Sequence, residues 1–150
     1  MAEAAGSRGI DEDVIRVPPE EIRFGVILNG GVSLAVWMGG ATHEIDRLQR
    51  RRGIYAELLD LTGTDPIVDV ISGSSAGGIN GALLALAQAR GNSTGLLRDL
   101  WLNDADIGEL FRSPLERDPS SLMKGDELFL PSLERAFRQL DHAAPEAAAP

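Results

Sequence analysis

The chain has 150 residues, 43% of them apolar and 25% charged, which suits one globular domain large enough to bury a core. Its formal net charge of −9 argues against nucleic acid as a partner and gains nothing from an anionic membrane surface. There is no cysteine, which excludes disulfides, thiolate metal sites and cysteine nucleophiles together.

The first stretch, "MAEAAGSRGIDEDVIRVPPE", is acidic and ends in two prolines, which predicts a disordered leader over residues 1–20. It has no basic run leading into an apolar one, so it is not a secretory signal, and the expected location is cytoplasmic. From Arg23, "RFGVILNGG" is a short apolar run closed by Asn-Gly-Gly, the profile of a buried strand entering a tight turn. "VSLAVWMGGATHEIDRLQRRRG" then predicts a helix with Ser33 near its start and an apolar face of Leu34, Trp37 and Met38. Arg50, Arg51 and Arg52 suit the negative end of its dipole, and Gly53 suits a left-handed C-cap. A basic docking patch is the other use for those arginines.

"IYAELLDLTG" predicts another short helix, ending at a loop "TGTDP". "PIVDVISG" is the second predicted strand and "SAGGINGALLALAQARG" the helix after it, apolar almost all round and so buried on several sides. Gly77, Gly78 and Gly81 would weaken that helix by roughly 1 kcal/mol each relative to alanine, unless close packing offsets the cost. The uncharged windows Phe24–Thr42 and Val70–Ala89 approach the length of a membrane span. Turn material at "LNGG" and "SGSSAGG" breaks both, and they are read as core, with no transmembrane segment. Beyond Gly91 come an amphipathic stretch "TGLLRDLWLNDADIGELF", a turn-rich stretch "SPLERDPSSLMKGDELFLP" and a final helix "PSLERAFRQLD". A low-complexity Ala/Pro tail over 142–150 is expected to be disordered, leaving 21–141 as the folded part. Strand, helix, strand, helix with Gly-rich turns predicts an α/β fold with parallel strands joined by a right-handed crossover.

Gly73-Ser74-Ser75-Ala76-Gly77 matches G-x-S-x-G, with a strand before it and a helix after it as that elbow requires. The central Ser75 would sit in a strained turn, its hydroxyl projecting at the positive end of the helix. A plainer role for Ser74 or Ser75 is to cap the helix. The first turn, "LNGGVS", also follows a strand and opens a helix. Its Gly30 and Gly31 amides could hold an oxyanion while Ser75 attacks an ester carbonyl. An ordinary tight turn would look the same. The two histidines, His43 and His142, fall in no metal-ligand spacing, and neither metal nor cofactor is expected.

Together the two turns resemble the patatin-like acyl hydrolases, which include bacterial patatin-related phospholipases. The resemblance runs from about Arg23 to Asp141 and is strongest in "RFGVILNGGVSLAVWMGGATHEID", "YAELLDLTG" and "VDVISGSSAGGINGALLALA". It implies a three-layer α/β/α fold with a mainly parallel sheet, and hydrolysis of lipid acyl esters of the phospholipase A type. It also implies a serine activated directly by an aspartate, with no histidine between them. By position Ser75 matches the nucleophile, and Gly30 and Gly31 match the oxyanion loop. Asn29, Val32, Leu34 and Ala35 stand where the family loop has its aspartate, third glycine, basic residue and last glycine. The family's catalytic aspartate lies in a downstream Asp-Gly motif, and no Asp-Gly dipeptide occurs in this chain. Asp69, Asp104, Asp106 and Asp126 are poor substitutes, so no catalytic aspartate is identified and the fold is expected to be incomplete here. The expected function is the N-terminal part of a serine acyl hydrolase whose partner is a lipid or acyl ester, with transient contact to a membrane surface. A catalytically incomplete lipid-binding fragment is the alternative. A nucleotide-binding reading lacks both G-x-G-x-x-G in the first turn and a Walker pattern in either.

Overall fold

The computed structural model describes residues 18–104 and 106–145. The expected leader and tail lie outside these residues, apart from their inner ends: Glu20 already belongs to a strand and His142 still belongs to a helix. The elements are β1 (Glu20–Leu28), α1 (Ala35–Gln49), α2 (Ile54–Thr62), β2 (Thr64–Gly73), α3 (Ala76–Arg90), α4 (Leu96–Asp99), α5 (Ile107–Leu110) and α6 (Leu130–His142). A 3-10 turn, Val32–Leu34, leads into α1. π-helical turns follow α4 at Leu100–Asp104 and precede α6 at Gly125–Phe129.

β1 and β2 pair in parallel, as the α/β reading requires, with Glu20 opposite Thr64 and Leu28 opposite Gly73. One register shift falls where Asp69 bulges out between the Phe24–Val68 and Gly25–Val70 pairs. Arg23 donates to Asp69 at 2.7 Å across that bulge. β2 begins earlier than expected, taking in part of "TGTDP". Pro66 is tolerated there because each strand of a two-stranded ladder has a free side, where no donor is needed. The sheet is incomplete: Ile27 and Val70, β-branched residues suited to burial, are 77% and 62% exposed.

α1 differs from its predicted face. Leu34 and Trp37 are 48% and 71% exposed, and the buried positions are Ala35, Met38, Gly39, Thr42 and Asp46. The reason is close approach: a Cβ on Gly39 would stand 2.8 Å from the Trp101 ring. Ser33 lies within the 3-10 turn and caps nothing. At the far end, the left-handed residue is Arg51 (φ 52°), while Gly53 (φ 61°, ψ −135°) starts α2. Ion pairs from Arg51 to Asp60 and Asp65 hold it in that conformation. Arg50 donates to the Gly91 carbonyl, so these two arginines brace the fold. Tyr55 on α2 donates to Glu44 on α1 at 2.9 Å. That bond, with Arg47 beside it, holds the Glu44 carboxyl below its ordinary range, and the bond to Glu44 raises the Tyr55 phenol. The tie is therefore complete at neutral pH and weakens as acid protonates Glu44 or as alkali ionises Tyr55.

α3 is the centre of the core. Leu83, Leu84 and Ala87 are fully buried, together with Leu97 on α4 and Leu140 on α6. Asn80, also fully buried, donates to the Ala35 carbonyl and accepts from the Trp101 indole at 2.7 Å. Asp46 accepts from the Thr94 amide and hydroxyl at 3.1 and 3.3 Å, fixing the loop before α4. The long amphipathic stretch after Gly91 is broken into α4, a π turn and α5 rather than one helix.

The α3 glycines separate by what a methyl group would meet. A Cβ at Gly77 would lie 2.1 Å from the Leu28 carbonyl oxygen, whereas at Gly78 the nearest atom is Gly73 O at 3.4 Å. Gly77→Ala should therefore destabilise by several kcal/mol, on the order of the worst single substitutions. Gly40→Ala, in α1 with nothing within 4 Å of the new methyl, should stabilise by about 0.5–1 kcal/mol. Chemical denaturation of both variants checks the contrast.

Candidate active site

Pairing of Leu28 with Gly73 ends both strands at one level, so both Gly-rich turns emerge at the carboxyl end of the parallel pair. Ligands of open α/β sheets bind at that end. The ladder runs one step further, with Ser74 N–H donating to Leu28 O at 3.1 Å, before the chain reverses into α3.

Ser75 stands at the reversal with φ 52° and ψ −128°, a conformation costly for a residue with a Cβ. Gly73 and Gly77 make the turn possible. A Cβ on Gly73 would stand 2.5 Å from the Gly77 carbonyl oxygen. Ser75 occupies the N-cap position of α3, yet its side chain makes no capping hydrogen bond. The hydroxyl is exposed at the positive end of a helix of 15 residues. Helix capping is thus not what Ser75 does.

Ser74 does something else. Its Oγ accepts the Gly30 N–H at 3.1 Å, joining the two turns directly. A Cβ on Gly30 would meet Ser74 O and Ser75 Cβ at 2.9 Å, so the first turn lies flat against the elbow. The Gly30 amide is consequently engaged by Ser74, a partner that the sequence did not suggest. Gly31 has φ 138°, which requires glycine. Among the described residues no partner takes up the amides of Gly31, Val32 or Ala76.

Ser75 opens on a cavity of about 160 Å³ whose other walls include Val32, Val36, Ile79, Trp101 and Phe129. Among the described residues no titratable side chain lines it. Asp69 lies four residues before the end of β2, roughly 13 Å along the strand at ~3.3 Å per residue, and it is paired with Arg23. Asp106 is taken up locally, accepting the Gly108 amide at 2.7 Å, and neither it nor Asp126 reaches the cavity wall. The side chain of Asp104 lies outside the described residues. His43 bonds the Thr94 hydroxyl. Among the described residues no group of His, Asp and Glu could hold a metal ion.

Sequence reasoning missed Asn80 and Trp101. Trp101 forms a wall of the cavity, and Asn80 holds its indole in place. The available signal was an asparagine inside an otherwise apolar helix.

The sequence profile of a family described as patatin-like phospholipase matches residues 26–144. A Mycobacterium tuberculosis protein described as an uncharacterized membrane protein is 39% identical over 144 residues, an overlap covering 81% of this chain and 13% of that protein. The chain thus spans a small fraction of that relative's length. No solved structure matches the sequence. Among the described residues no helix is long and apolar enough to cross a membrane. The two uncharged windows each resolve into strand, turn and helix.

The backbone at Ser75 yields a test of strain. Ser75→Gly should be more stable than Ser75→Ala by about 1 kcal/mol, since glycine accepts the positive φ. Ser74→Ala should cost about 1 kcal/mol locally and speed hydrogen exchange at the Gly30 amide roughly fivefold.

Proposed function

The chain belongs to the patatin-like phospholipase family, and from that premise we propose that it carries the nucleophile half of a serine acyl hydrolase acting on lipid acyl esters. The observation that carries the reading is the uncapped, positive-φ Ser75 facing an apolar cavity at the carboxyl end of the sheet. In this mechanism Ser75 Oγ attacks the ester carbonyl and the acyl chain lies along Val32, Val36, Ile79 and Phe129. The oxyanion is met by amides with no other partner, those of Gly31 in the first turn and Ala76 at the N-terminus of α3. Gly30, held by Ser74, keeps the loop against the elbow. Each oxyanion donor of this kind contributes on the order of 3 kcal/mol to lowering the barrier.

A serine hydroxyl needs a base to be nucleophilic at neutral pH, and among the described residues the cavity wall supplies none. That observation favours one second reading, a lipid-binding fragment without turnover. In the full-length protein a fluorophosphonate probe should label Ser75, and Ser75→Ala should abolish the label. Labelling that survives the substitution removes Ser75 as nucleophile. Binding of a fluorescent fatty acid, with ester turnover no higher than in Ser75→Ala, would establish the second reading instead.

A further inference from the structure

Residues Ser113–Ser121 form a closed loop whose base adjoins the Ser75 cavity. The loop is pinched at its base by an antiparallel bridge between Phe111 and Met123. Arg112 N–H donates to Leu122 O at 3.1 Å and Lys124 N–H to Leu110 O at 2.8 Å. Leu110 and Met123, which flank this base, line the same cavity as Ser75. The loop is braced from within. The Arg112 guanidinium pairs with Glu116 and Glu127, and Glu116 N–H closes a turn on Ser113 O. Loops of this length with closed ends are frequently functional.

Two leucines on this braced frame point into water. Leu115 is 89% exposed and Leu122 71% exposed. Arg117 and Lys124 form no ion pair within the described residues, although the chain is acidic overall. Val32 and Val36, which also line the cavity, are exposed too.

We propose that this loop is an interfacial anchor that seats the cavity mouth on a zwitterionic phospholipid surface. Leu115 and Leu122 enter the acyl layer while Arg117 and Lys124 meet headgroup phosphates. The identity of the surface as lipid rests on the acyl-hydrolase reading of Ser75. Burial of both leucines together with the two cations gives weak, reversible interfacial binding. A protein partner would need a continuous apolar patch, and here polar residues, "ERDPSS", separate Leu115 from Leu122. The surface is zwitterionic because a net charge of −9 is repelled by anionic lipid.

Co-sedimentation with phosphatidylcholine vesicles tests the proposal. The wild-type chain should sediment with vesicles, and Leu115→Asp with Leu122→Asp should lower its partition roughly tenfold or more. Leu61→Asp is the control: Leu61 is 84% exposed on α2, which leads into the opposite end of β2. It should bind as wild type. Absence of wild-type binding, or equal loss in the control, overturns the anchor, as does a double variant that still binds. Fluorophosphonate labelling in the absence of vesicles reads Ser75 separately and should not change in the double variant. Vesicle binding without any labelling would remove the hydrolase reading and leave the anchor standing.

Discussion

The closest constraint in the molecule is the approach of α3 to the end of β1. Leu28 O accepts the Ser74 amide, and it lies where a Cβ on Gly77 would have to go. Two backbones meeting without side chains between them leave almost no freedom in how the chain reverses. The positive φ of Ser75 follows from that geometry, because the turn must leave the ladder at Gly73 and start a helix at Ala76. The cost of the conformation is carried by the surrounding contacts.

Stability is concentrated elsewhere. The fully buried leucines lie along α3 and against α6, and the Asn80–Trp101 bond fastens the cavity wall to that core. The site end is instead held by main-chain contacts and by the Ser74–Gly30 bond. The sheet itself is thinly covered, with Ile27 and Val70 in contact with solvent. Rigid elements thus position a site whose own residues are small and exposed.

Charge is handled locally. Arg23 with Asp69, Arg51 with Asp65 and Arg90 with Asp141 are surface pairs, each contributing little to stability on its own. Their value is positional, since Arg51 fixes the turn after α1 and Arg23 spans the β2 bulge. Among the described residues the cavity is lined by apolar side chains and Ser75, without formal charge.

The sequence by itself determined the order of strands and helices, the parallel pairing and the place of the elbow. Each of these is written in local signals: β-branched runs, Gly-rich turns and helical apolar spacing. It also marked Ser75, because G-x-S-x-G between a strand and a helix has few structural solutions. It misread the face of α1, where Trp37 is exposed and Gly39 buried, because small residues chosen for close approach carry no hydrophobic signal. It placed the left-handed residue at Gly53 instead of Arg51, whose conformation depends on carboxylates from α2 and β2. Only the tertiary structure decided that Ser74 engages the Gly30 amide and that Trp101 walls the cavity. Both contacts join residues distant in the chain, and distance across the fold has no trace in local sequence.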